Sequence, residues 1–262
     1  MITLYHNNMS TCAQKVRYVL AEKELEWESV ELNLRKGDQH AEHYLKLNPA
    51  GVVPTLVNGD AVIVESGVIC EYLEDLFPTP RLRPDTADRI AGMRLWIKYI
   101  DEIIHAQAGV ISTAIAFRFQ HLANGEDAVR ARIEAVPSEA KRARMRSLIF
   151  EGVESALFPG GVRAFAEMLR RMEAALERTA FLAAESRTIA DAVCLPYVVR
   201  LEHLQLAWLW DDLPRVAGWY GRLRETPSFA TAFRDWEDAG YLSLMEARGA
   251  EYRSRVEDAL AG

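Results

Sequence analysis

Residues 53–66 read Val53-Pro54-Thr55-Leu56-Val57-Asn58-Gly59-Asp60-Ala61-Val62-Ile63-Val64-Glu65-Ser66, and this stretch decides the fold. Two short apolar runs, 55–57 and 62–64, flank Asn58-Gly59. That pair supplies the positive φ angles of a tight hairpin turn, so the runs pair antiparallel. Pro54 cannot donate to a strand ladder and belongs at a strand start, in a turn that suits a cis bond. Ser66 is placed to cap a following helix with Val68, Ile69, Tyr72, Leu73 and Leu76 on one face.

Upstream, Ile2 to Tyr5 is a short apolar run, and Thr11-Cys12-Ala13-Gln14 reads as a capping box. The helix it opens carries an apolar stripe of Val16, Val19 and Leu20. Val30, Leu32 and Leu34 then alternate with Glu31 and Asn33, the period-two mark of a half-buried strand. Strand, helix, strand is a crossover unit with parallel strands. The order β-α-β followed by β-β-α therefore predicts a four-stranded mixed sheet.

Pro78, Pro80 and Pro84 punctuate a linker, beyond which strand signals stop. Met93, Trp96, Ile97, Ile100, Ile103 and Ile104 recur at helical spacing, as do Phe165, Met168, Leu169, Met172 and Leu176. Thr188-Ile189-Ala190-Asp191 resembles a capping box with Asp at its fourth position, and Pro196 within that helix is expected to cost a hydrogen bond and bend it. The fold class is α+β: a sheet domain over 1–80 and an all-helical domain over 87–262.

Half of the 262 residues are hydrophobic and 26% are charged, enough to build a core. A net charge of −7 argues against a nucleic-acid partner. Lys141, Arg142, Arg144 and Arg146 form a basic cluster that reads as a solvated helix face. Cys12, Cys70 and Cys194 give no disulfide framework and no zinc pattern. With no membrane-length apolar run and no signal-peptide pattern, the expectation is a cytoplasmic protein without a membrane or metal partner.

Three places carry chemistry. The Val53 backbone beside Pro54 can pair with an extended peptide. Glu65-Ser66 stands where a strand meets a helix: the helix N-terminus favours an anion and Glu65 can accept from an ammonium, so an α-amino acid head fits there. In the loop from Asn7 to Cys12, a thiolate gains from the helix dipole and a hydroxyl donor. Each has a plainer reading as an edge-strand proline, a simple cap or a small buried cysteine. His40 and His43 lack a third metal ligand, and His40 reads as a surface residue able to touch a ligand.

Taken as a set, residues 10–17 (STCAQKVR), 48–54 (NPAGVVP), 65–73 (ESGVICEYL) and 188–191 (TIAD) resemble the glutathione transferase superfamily over nearly the whole chain. Gln39-His40, residues 69–75 (ICEYLED) with Phe77-Pro78, residues 93–96 (MRLW) with Asp101-Glu102, and a helical insert from about Gly125 to Pro159 are most similar to the glutathione-dependent β-etherases of bacterial lignin breakdown. The resemblance implies a thioredoxin-like first domain and a helical domain that lines the second substrate's pocket. It implies glutathione as co-substrate, bound by His40, Val53, Pro54, Glu65 and Ser66. Ser10 falls at the thiol-activating position, and Cys12 departs from the etherase pattern. A hydroxyl, a backbone amide and Cys12 itself remain alternatives for steering the sulfur.

The implied chemistry is attack of a glutathione thiolate on a hydrophobic, aromatic electrophile, with β-aryl ether cleavage set against general detoxifying conjugation or dehalogenation. Other readings are a Cys12-dependent disulfide reductase and a non-enzymatic binding module. The resemblance also implies a homodimer, through the sheet domain and the helices around Trp96 and Asp101.

Overall fold

A computed structural model describes residues 1–262. The elements run β1 (Ile2–His6), α1 (Thr11–Glu22), β2 (Trp27–Glu31), α2 (Glu42–Leu45), β3 (Thr55–Asn58), β4 (Ala61–Val64) and α3 (Ser66–Leu76). Helices follow: α4 (Ala87–Tyr99), α5 (His105–Ser112), α6 (Arg118–Leu122), α7 (Glu126–Glu134), α8 (Glu139–Arg146) and α9 (Phe158–Ala175). The last are α10 (Ile189–His203), α11 (Pro214–Arg224), α12 (Pro227–Ala232), α13 (Ala239–Glu251) and α14 (Arg253–Ala261). Residues 1–100, 174–198 and 215–238 form one compact unit, and residues 101–173, 199–214 and 239–262 the other.

In the first unit the sheet order is β2-β1-β3-β4, with β1 parallel to β2 and antiparallel to β3, and β3-β4 a hairpin. This is the mixed, thioredoxin-like sheet that the sequence predicts. Leu4 and Leu56 on its central strands are fully buried beneath Ala13, Val16, Val19 and Leu20 of α1 and Ile69, Cys70 and Leu73 of α3. At roughly 1.5–3 kcal/mol per buried large aliphatic side chain, this layer is what drives the unit to fold.

Several boundaries differ from the sequence expectation, each for a local reason. Ser10, not Thr11, is the N-cap of α1: its backbone is extended (φ −71°, ψ 119°) and its Oγ accepts from Ala13 N. β2 stops at Glu31 because Asn33 Oδ1 accepts from the amides of Arg35 and Lys36, turning the chain before Leu34 can join the strand. The hairpin turn is Gly59-Asp60, since Asn58 already pairs with Ala61, and Gly59 supplies φ 61°. Ser66 is the first residue of α3 rather than its cap, the N-cap position being Glu65. Val68 and Leu76 point outward, 58% and 44% exposed, while Glu74 turns inward.

Glu74 is buried because Lys23 meets it at 2.7 Å. Lys23 Nζ also donates to the carbonyls of Phe77 (2.6 Å) and Pro80 (2.8 Å), and Glu74 Oε2 accepts from Leu82 N (3.0 Å). The linker is thus fastened to the end of α1 and to α3. Leu82 O in turn accepts from Ile189 N at the start of α10. There Asp191 reaches back as a capping box demands: Oδ2 accepts from Thr188 N and Oγ1, and Oδ1 from Leu182 N and Trp219 Nε1. Burial pushes the Asp191 carboxyl pKa up, against the pull of these four donors. α10 runs unbroken through Pro196.

In the second unit, Phe165, Met168, Leu169 and Met172 of α9 are all fully buried, as the spacing predicts. Ile103 is 46% exposed although Ile100 and Ile104 are buried, because residues 100–104 form a wider π turn that shifts the face. Gly249 meets the Leu204 backbone so closely that a Cβ would lie 1.9 Å from Leu204 O, so α13 needs glycine there. Within the insert, Val129, Ile133 and Ile149 form a small core of their own, with Leu122, Met145 and Phe150 against it. The basic cluster is a solvated face in which Arg142 and Arg146 pair with Glu134, and Arg142 also with Glu139.

Candidate functional site

The strand register gathers the three motifs. Tyr5 is opposite Thr55 and Thr55 is opposite Val64, on adjacent strands about 4.8 Å apart. The loop after β1 (residues 7–10), the turn before β3 (Val53-Pro54) and the step after β4 (Glu65-Ser66) therefore leave one end of the sheet side by side. Ser10, Val53 and Glu65, separated by 43 and 12 residues in sequence, become neighbours through pairing alone.

At the first motif, Ser10 Oγ accepts from Ala13 N at 3.3 Å. A hydroxyl has one hydrogen, and accepting leaves it to donate, as a thiolate requires. Thr11 and Cys12 open α1, where the first-turn amides lack intrahelical acceptors. Cys12 is half-buried and in no disulfide.

Asn7 and Asn8 shape the approach: both side-chain oxygens accept from Met9 N (3.2 and 2.8 Å), and both carbonyls are held by Arg17 (3.1 and 2.7 Å). Arg17 is 1% exposed and also donates to Ala232 O and to His6 Nδ1. An arginine only donates, so His6 is a neutral ring with its proton on Nε2, given to Ser29 Oγ at 2.8 Å. Burial, then the neighbouring Arg17 charge, lowers the His6 pKa to about 3. Burial also lowers that of Arg17 to about 9, against the pull of Glu31. Trp27 and Trp236, stacked at 5.8 Å, cover this pair.

At the second motif the Val53–Pro54 bond is cis. The bonds that pin the turn fall on Val52, whose carbonyl accepts from Tyr44 Oη (2.5 Å) and Asn48 Nδ2 (2.9 Å). Both donors also meet Thr55 Oγ1, the first residue of β3. His40 is exposed and rests its ring on Gly51: a Cβ at Gly51 (φ 62°) would lie 2.8 Å from His40 Nδ1. His40 thus borders the Val53 turn.

At the third motif Glu65 is exposed, in a backbone conformation (φ 67°, ψ 113°) that non-glycine residues seldom adopt. Ser66 follows, 5% exposed, its Oγ accepting from Lys15 Nζ at 3.3 Å. Arg17, Lys15, His6, Tyr44 and the tryptophans escaped the sequence reading. The available signal was two cations, Lys15 and Arg17, set within the apolar pattern of α1.

Family comparison accords with this arrangement. Residues 4–81 match the N-terminal domain of glutathione S-transferase and residues 120–222 its C-terminal domain. The chain belongs to the glutathione S-transferase family. It is 42% identical to Protein LigF of Sphingobium sp. (strain NBRC 103272 / SYK-6) over 103 residues, 38% of this chain and 40% of LigF. It is 46% identical to glutathione S-transferase Z1 of Arabidopsis thaliana over 83 residues, 32% of this chain and 38% of that one. The matched segments thus span about two fifths of these relatives' length. In structure, β-etherase LigF from Sphingobium sp. strain SYK-6 superposes with a TM-score of 0.78 at 26% identity, covering 89% of this chain and 99% of LigF.

Proposed function

We propose that the protein is a glutathione transferase that binds glutathione at one end of its sheet and ionises its thiol, and that it cleaves β-aryl ethers. The γ-glutamyl head occupies Glu65-Ser66, the peptide backbone extends along Val53 beside Pro54, and His40 flanks it. The sulfur lies at the α1 N-terminus, where Ser10 donates its hydroxyl hydrogen. The observation that carries this reading is the register Tyr5–Thr55–Val64, which sets an anion-favouring helix start, a peptide-pairing turn and a hydroxyl-capped helix start side by side.

For the ether, the thiolate attacks the β carbon beside a carbonyl; a carbon–sulfur bond forms as the carbon–oxygen bond breaks, and the electron pair leaves as phenolate. Likeness to LigF supports this substrate class. Ser10 and the loop amides contribute thiolate stabilisation and orientation. A second reading keeps Cys12 as a thiolate forming a mixed disulfide with glutathione, favoured by its place in the first turn of α1. The functional form is a homodimer; Val52, Val62, Val68 and Leu95, each over 40% exposed, are its candidate contacts.

A panel of a keto β-aryl ether, an aryl halide, an alkyl halide and a mixed disulfide, each incubated with glutathione, tests the assignment. Release of a phenol with formation of a thioether is the expected outcome. Turnover of the halides alone replaces the ether with general conjugation, disulfide turnover alone moves the chemistry to Cys12, and an inert panel removes the proposal.

A further inference from the structure

Lys15 lies on α1 with no exposed surface, its Nζ 3.3 Å from Ser66 Oγ and 5.2 Å from the centre of the Tyr197 ring. Packing alone does not account for a lysine here, since taking an ammonium out of water costs several kcal/mol unless its hydrogens are engaged. An ammonium carries donors only, so Ser66 Oγ must accept from it. The single hydroxyl hydrogen of Ser66 is then left to be donated elsewhere, at the first turn of α3. There the helix dipole already favours a negative charge.

We propose that Lys15 is a positioning residue for carboxylate recognition. It fixes the Ser66 hydroxyl as a donor and adds a buried positive charge behind the start of α3. The site thereby selects the α-carboxylate of the γ-glutamyl group over a peptide that lacks it. Attraction to the Tyr197 ring holds the ammonium in place. This inference rests on the assignment of Glu65-Ser66 as the γ-glutamyl site.

The test is calorimetric titration of the full chain with glutathione and with the analogue in which γ-aminobutyryl replaces γ-glutamyl, which keeps the amine and loses only the carboxylate. Wild type prefers glutathione by about ten-fold or more, the range of a charge-assisted hydrogen bond. Lys15→Met removes most of that preference while analogue affinity stays within about two-fold, Lys15→Arg restores it, and Lys15→Met adds nothing to Ser66→Ala. A merely structural role lowers both affinities together and leaves their ratio unchanged, which overturns the inference. Should Lys15→Met fail to fold, Lys15→Gln keeps an N–H donor and removes the charge; the full wild-type preference in that variant is likewise contrary. If wild type does not distinguish the two peptides, the γ-glutamyl assignment fails and this inference with it. If Ser66→Ala loses the preference and the Lys15 variants keep it, only the role of Lys15 fails.

Discussion

Glu65 holds a positive φ with a side chain that gains nothing from it locally, since its carboxylate caps no amide of α3. Such a backbone costs on the order of 1 kcal/mol for a non-glycine residue, and the proposed return is contact with the ligand's ammonium. Glu65→Gly is predicted to leave stability within about 1 kcal/mol of wild type, because glycine adopts this φ freely. Either Glu65→Gly or Glu65→Ala weakens glutathione binding by about 1.5–3 kcal/mol. Urea denaturation and calorimetry on the same samples check both halves. His6 provides a second residue-scale outcome. Its pKa is about 3 in the folded chain against the ordinary 6.5, so below pH 6.5 the unfolded chain binds a proton that the folded one refuses. The His6 contribution is present above pH 6.5 and is lost as pH falls towards 3. Urea midpoints followed from pH 7 to pH 4 should fall more steeply for wild type than for His6→Gln.

At the scale of elements, the linker staple is costly to cut. Lys23→Met leaves Glu74 charged and buried with only the Leu82 amide to accept from, and should destabilise by about 3–5 kcal/mol in denaturant titration. The hairpin, helices α1 and α3 and the α9 stripe were legible because their signals are local: Gly59 between two apolar runs for the turn, which falls one residue later than Asn58-Gly59 suggests, and period 3.6 for Phe165, Met168, Leu169 and Met172. The end of β2 was not, because a side chain, Asn33, overrides an alternation that continues to Leu34. Lys15, Arg17 and Lys23 read as solvent-facing by default. Their burial depends on partners brought by the fold, Ser66 for Lys15, Ala232 O for Arg17, Glu74 and Phe77 O for Lys23. Of the candidate site, the residue types were visible in sequence, whereas their convergence awaited the register of three strands.

For the whole molecule, the exposed Val52, Val62, Val68 and Leu95 bear on assembly. Sedimentation at micromolar concentration should give a dimer mass, and Val68→Asp with Leu95→Asp a monomer that remains folded by circular dichroism. A wild-type monomer would remove the dimer from the account. The central claim is that this chain ionises glutathione's thiol through the Ser10 hydroxyl at the start of α1. It is tested most directly by following the thiolate absorbance of the bound peptide against pH, in wild type and in Ser10→Ala. The account predicts a wild-type midpoint at least about one unit below a free thiol's ~8.5, and a rise of about 1–2 units in Ser10→Ala, equivalent to roughly 1–3 kcal/mol. A wild-type midpoint equal to that of free glutathione, or superimposable curves for the two proteins, would contradict it.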